Sequence, residues 1–130
     1  MLIDFYVENF LSFKDGVNFT MLADTQSKQE RPDAVIKVGK YELLRSAGLW
    51  GPNAGGKSNF LKALSVMSLM VHGVHINSLK NSILPVTKFK LNESCDEKPT
   101  TFEVRFLLQS VLWQGSSIDM VFRYGIQYTA

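Results

Sequence analysis

The chain has 130 residues, 45% hydrophobic and 20% charged, with a net charge of +2, a composition that excludes wholesale disorder and suits one domain with a core. Its single cysteine, Cys95, rules out an internal disulfide and points to a reducing, cytoplasmic setting. The acids within "MLIDFYVENF" exclude a signal peptide, and no apolar run approaches the roughly 18–20 residues that span a bilayer.

"LIDFYVENF" alternates, with Ile3, Phe5 and Val7 facing one way and Asp4, Tyr6 and Glu8 the other, which predicts a half-buried strand. Asp15-Gly16 then signals a hairpin turn, followed by Val17, Phe19 and Met21 at period two. The polar stretch 23–34, with Pro32, reads as a loop. "VIKVGKYELL" predicts a second hairpin turning at Gly39-Lys40, and "RSAGLW" a short buried central strand. After Lys57 the period changes. Phe60, Leu61, Leu64, Met67 and Val71 recur at helical spacing, so a helix is expected from Ser58 to about His72. Residues 73–88 fit a continuing or a second helix ending before Pro85. "NESCDEKP" reads as a charged surface loop. "TFEVRFLLQ" and "SIDMVFRYGIQY" both alternate around Gln114-Gly115, an antiparallel pair whose second strand lines one face with Ile118, Met120, Phe122, Tyr124, Ile126 and Tyr128.

"LWGPNAGGKSNFLKAL" interrupts this pattern. Gly51, Gly56, Lys57 and Ser58 match G-x-x-x-x-G-K-S/T, the phosphate-binding (Walker A) loop. Chance places these residues in such a chain on the order of a few times per thousand. The chemistry needs the residue types. A helix start leaves its first N–H groups unpaired and carries about half a positive charge. Glycines at 51, 55 and 56 let backbone N–H groups approach an anion with no β-carbon in the way. The expected cradle is Asn53, Ala54, Gly55, Gly56, Lys57, Ser58 and Asn59. Lys57 would reach the β- and γ-phosphates of ATP, and the Ser58 hydroxyl would ligate Mg²⁺.

Between Glu42 and Glu93 there is no carboxylate, while Arg45, Lys57, Lys62, Lys80, Lys88 and Lys90 fall in that stretch, which suits either a chance distribution around a buried helix or an anion-binding neighbourhood. Hydrolysis usually needs a second, acidic strand end. Glu103 and Asp119 end no apolar run and alternate to outward faces, and Asp4 does the same at the start of the chain. His72 and His75 have no Cys or acid nearby, and Cys95 has no base beside it. No catalytic residue is assigned.

The order of features resembles the SMC/RecF-like branch of the ABC-type ATPases. A first strand runs into "VENFLSFKDGVNFTM", similar to that group's N-F-R/K-S-F turn, and "GPNAGGKSNFLKAL" follows, with Asn53, Gly55, Ser58, Asn59, Leu61 and Ala63 all fitting its loop and helix. The likeness is greatest to bacterial AAA-type ATPases grouped with abortive-infection and overcoming-lysogenisation proteins, in which segments like "FKLNESCDEKPTTFEVRF" and "FRYGI" follow the helix. It is specific over residues 1–72 and loose over 85–130. Leu11 stands where the group often has Arg or Lys, with Lys14 three residues on. The group's glutamine after the helix has no clear counterpart among Gln109, Gln114 and Gln127.

The resemblance implies an α/β fold, the N-terminal lobe of a P-loop NTPase with an antiparallel β subdomain. It implies that residues 1–130 are a fragment whose second lobe, with the acidic strand, lies elsewhere. It also implies Mg²⁺ and ATP as cofactors, a missing C-terminal lobe or partner subunit, ATP-dependent homodimerisation, and a role in phage defence or DNA repair. Nucleic acid is a candidate partner, although no basic helix or run of stacking aromatics reads bases. Two rival readings stand: a non-catalytic truncated module or pseudoenzyme, and a complete small P-loop kinase or GTPase, for which no guanine motif is present.

Overall fold

The computed structural model describes residues 1–71 and 86–129. The described residues form a four-stranded sheet in the order β2-β1-β5-β6 and a two-stranded sheet of β3 and β4, so the fold is mixed α/β with antiparallel pairing. The chain divides into two compact units.

The first unit comprises Met1–Phe5, Asn18–Leu49 and Val104–Tyr124. Strand β1 (Leu2–Glu8) alternates as its sequence predicts, with Ile3, Phe5 and Val7 fully buried. Met1 and Leu107 exchange backbone hydrogen bonds, the signature of antiparallel pairing between β1 and β5 (Thr100–Trp113). Strand β2 (Val17–Thr20) is the other neighbour of β1. Strands β3 (Val35–Val38) and β4 (Tyr41–Leu44) form the expected hairpin, with Val38 opposite Tyr41 across Gly39-Lys40. Their inner residues Val38 and Leu43 join Ile3 and Leu107 in one apolar cluster.

Residues 23–34 are not simply a loop. Asp24 caps a short helix, α1 (Thr25–Glu30), by accepting from the Ser27 N–H at 2.7 Å, and Pro32 opens a 3₁₀ turn, Pro32–Ala34. Neither buries a residue. The Asp24 cap starts the helix and Pro32 the turn, with no apolar period for the sequence to reveal.

Strand β6 (Ser116–Tyr128) pairs with β5 through the predicted two-residue turn, where Gln114 and Gly115 take φ of 47° and 79°. Its expected apolar face is not covered. Ile118, Phe122 and Tyr124 are 39%, 37% and 45% exposed.

The second unit comprises Tyr6–Val17, Trp50–Glu103 and Gly125–Ala130. Here the chain reverses at Leu11–Ser12, with Phe10 and Phe13 exchanging backbone hydrogen bonds of 2.9 and 2.8 Å. The reversal comes ahead of Asp15-Gly16, which only leads into β2. Gly16 serves close approach instead: a β-carbon there would lie 2.1 Å from the Tyr6 hydroxyl. Helix α2 (Lys57–Val71) forms at the predicted place. Its buried stripe is Phe60, Ala63, Val66 and Met67, while Leu61 and Val71, expected on that face, are 59% and 51% exposed. Buried Phe10 packs edge-on against Phe102, with ring centroids 5.2 Å apart.

One expectation fails outright. Residues 46–50 form no strand, and all of "RSAGLW" is exposed. A buried central strand needs ladder partners for its backbone groups, and among the described residues no strand pairs with it. His72, His75 and the segment 73–85, where a helix ending before Pro85 was expected, lie outside the described residues.

Candidate functional site

Residues Asn53–Asn59 line a single cavity of about 330 Å³ at the start of α2. Every residue of the sequence-predicted cradle is therefore brought together. The loop is folded on itself by one backbone bond, Gly55 N–H to the Pro52 carbonyl at 3.1 Å, and the first helical bond is Phe60 N–H to the Gly56 carbonyl at 3.0 Å. The N–H groups of Lys57, Ser58 and Asn59 have no acceptor among the described residues. Ala54 is held at φ 64°, a left-handed conformation that costs a non-glycine residue about 1–2 kcal/mol. Backbone strain of this kind concentrates where a loop is shaped for a ligand.

The Lys57 ammonium lies across the loop, donating to the Gly51 carbonyl at 2.8 Å and the Pro52 carbonyl at 2.6 Å. An ammonium has three donors, so one remains for an anion inside the cradle. The Ser58 side chain is exposed.

The first turn supports this loop from the side. Asn59 Nδ2 donates to Ser12 Oγ at 3.0 Å, and a β-carbon on Gly56, whose φ is +85°, would lie 2.9 Å from the same oxygen. In the sequence the turn and the loop are separate landmarks. Their contact has no local signal, because it joins residues distant in the chain. The Leu11 amide in turn donates to the Thr87 carbonyl at 2.8 Å, and Leu11, Ser12, Asn59 and Thr87–Leu91, with Lys88 and Lys90 among them, line a second cavity of about 430 Å³.

Asn9 is the residue that sequence reasoning missed. It is fully buried, at φ 50°, directly after β1. Its Nδ2 donates to the carbonyls of Cys95 at 2.8 Å and Lys98 at 2.9 Å, its Oδ1 accepts from Phe89 N–H at 3.2 Å, and its own carbonyl accepts from Thr100 Oγ1 at 2.7 Å. These bonds hold the segment after residue 86 beside the first turn. Cys95 is correspondingly buried, ending a 3₁₀ turn at Glu93–Cys95, and not a side chain of a surface loop.

The candidate acids take structural places. Asp4 pairs with Arg105, and Asp119 Oδ1 accepts from the Ser110 N–H at 3.1 Å. Glu103 is half-buried on β5. Among the described residues no three His, Cys, Asp or Glu side chains converge. No helix is long and apolar enough to cross a membrane among those residues.

Residues 46–119, more than half of the chain, match the family described as "AAA domain, putative AbiEii toxin, Type IV TA system". No curated protein and no solved structure matches the chain. The chain belongs to this AAA-domain family, a nucleotide-binding, ATPase-like group.

Proposed function

We propose that this AAA-domain chain binds Mg-ATP through Gly51–Ser58 and the start of α2, as the nucleotide-binding lobe of an SMC/RecF-like ATPase. The observation that carries the reading is the convergence of Asn53–Asn59 on one cavity, with unpaired helix N–H groups below and the Lys57 ammonium across it. The residues fit the ligand. The loop backbone is free of β-carbons at Gly55 and Gly56, the helix start supplies N–H donors, and Lys57 keeps a donor for a phosphate oxygen. The exposed hydroxyl of Ser58 stands next to Lys57, where it would hold Mg²⁺. Bound Mg²⁺ would neutralise charge on the β- and γ-phosphates.

What the chain's residues do in this reading is bind and orient. Lys57 fixes the phosphates, the glycine backbone encloses them, and the Ser12–Asn59 bond keeps the loop in shape. A group to orient the attacking water is supplied by a second lobe or partner subunit, as the resemblance implies. ATP-dependent pairing of two such heads and a task in phage defence or DNA repair belong to the same proposal. The AbiEii element in the family's description supports the first of these tasks.

Trp50 provides the test. It is 93% exposed and adjoins Gly51, and Trp113 is the other tryptophan of the chain. In a Trp113→Phe background, Mg-ATP should change Trp50 fluorescence saturably, and inorganic triphosphate should compete. A flat response to both would remove the loop as the site.

A further inference from the structure

In the second unit the cavity beside the first turn runs on into another of about 390 Å³, and Leu11 and Thr87 line both. Together they make one groove. Along one side lies a stripe of α2, made of Asn59, Lys62, Val66 and Leu69 at helical spacings of three and four. The ten residues from Asn59 to Leu69 give the stripe a length of about 15 Å. Leu11 and the segment 87–91 line the rest.

The lining combines two properties. Much of it is apolar, from Leu11, Val66, Leu69, Phe89 and Leu91, and Leu69 and Leu91 are 44% and 89% exposed. Every charge in it is positive: Lys62, Lys88 and Lys90 line the groove, and among the described residues no carboxylate does. Lys88 gives one donor to the Asp96 carbonyl at 2.6 Å and keeps two. The complement of such a surface is a chain that interleaves apolar side chains with carboxylates. We propose that the groove docks an acidic, leucine- or phenylalanine-bearing peptide segment of a partner protein. Its apolar side chains would cover Leu69 and Leu91, and its carboxylates would meet Lys62 and Lys90. A length of about 15 Å takes about five extended residues or three helical turns. A nucleic-acid strand fits less well, because Phe10 is buried and Phe89 half-buried, which leaves the groove no exposed ring on which bases stack. This inference does not depend on nucleotide binding.

The test selects a random peptide library, displayed on phage, against the full chain without nucleotide, and titrates the enriched peptides by fluorescence anisotropy. The enriched peptides should interleave Asp or Glu with Leu or Phe. Lys62→Glu and Lys90→Glu should each weaken them roughly tenfold, and Leu69→Asp at least as much. Leu61→Asp is the control. Leu61 is 59% exposed on the same helix but lines neither cavity, so the same new charge there should leave affinity within about twofold. Lys57→Ala should bind the peptides as the wild type does, which separates this surface from the phosphate loop. No enrichment, enriched peptides without acids, or affinity indifferent to Leu69→Asp and both lysine reversals would each overturn the proposal. So would an equal loss in Leu61→Asp, a loss in Lys57→Ala, or displacement of the peptides by adenosine, which would assign the groove to a nucleoside.

Discussion

At Gly56 the backbone conformation and the neighbours coincide in excluding a side chain. Its φ of +85° suits glycine, and any β-carbon would press on Ser12 Oγ at 2.9 Å. Gly56→Ala is expected to cost about 1–3 kcal/mol in chemical denaturation and to weaken nucleotide binding, because the loop and the first turn must part. Tyr6 gives a second residue-scale prediction. Its hydroxyl donates to Glu8 at 2.6 Å, and this bond, with burial and the nearby charges of Glu8 and Glu103, pushes its pKa up to about 12. A raised folded pKa means that the fold favours the neutral phenol. The stabilisation is whole below the unfolded value near 10 and is lost as pH rises through 12. Denaturation of Tyr6→Phe should therefore show a shallower loss of stability between pH 10 and pH 12 than the wild type.

Among the elements, the segment 86–99 depends on one side chain. Asn9→Ala would leave the carbonyls of Cys95 and Lys98 and the N–H of Phe89 without their partner. Loss of about 2–4 kcal/mol is expected by thermal or chemical unfolding, with faster amide exchange across residues 86–99. Elements of this kind were poorly legible in the sequence. β1 and the β3–β4 hairpin were readable because alternation and Gly39-Lys40 are local signals. The start of α2 was readable for the same reason, from the change of period after Lys57. Its buried face was not: Leu61 and Ala63 fit the helix equally well, and only packing decides that Ala63 lies inside. Residues 46–50 read as a strand from their small apolar composition, but a strand is decided by its neighbours, and none pairs with them among the described residues. That Asn53–Asn59 share one cavity at the start of α2 was legible in full, since these residues are consecutive. The loop's lateral support by Ser12 was not.

For the whole molecule, binding and turnover are separate questions. The 130-residue chain alone is expected to release phosphate from ATP no faster than background, because Lys57 and Ser58 address the phosphates and metal while no carboxylate lies between Glu42 and Glu93 to orient water. Phosphate release by the purified chain, abolished by Lys57→Ala, would instead indicate a complete small enzyme. The central claim is tested most directly by calorimetric titration of Mg-ATP into the wild type and Lys57→Ala. The ammonium bonds only exposed loop carbonyls, so the variant should unfold within about 1 kcal/mol of the wild type. A charged contact to phosphate contributes roughly 1.5–3 kcal/mol, so its affinity should fall at least about tenfold. A saturable wild-type site lost in the folded variant is the predicted result; equal affinity in the two proteins would contradict the account.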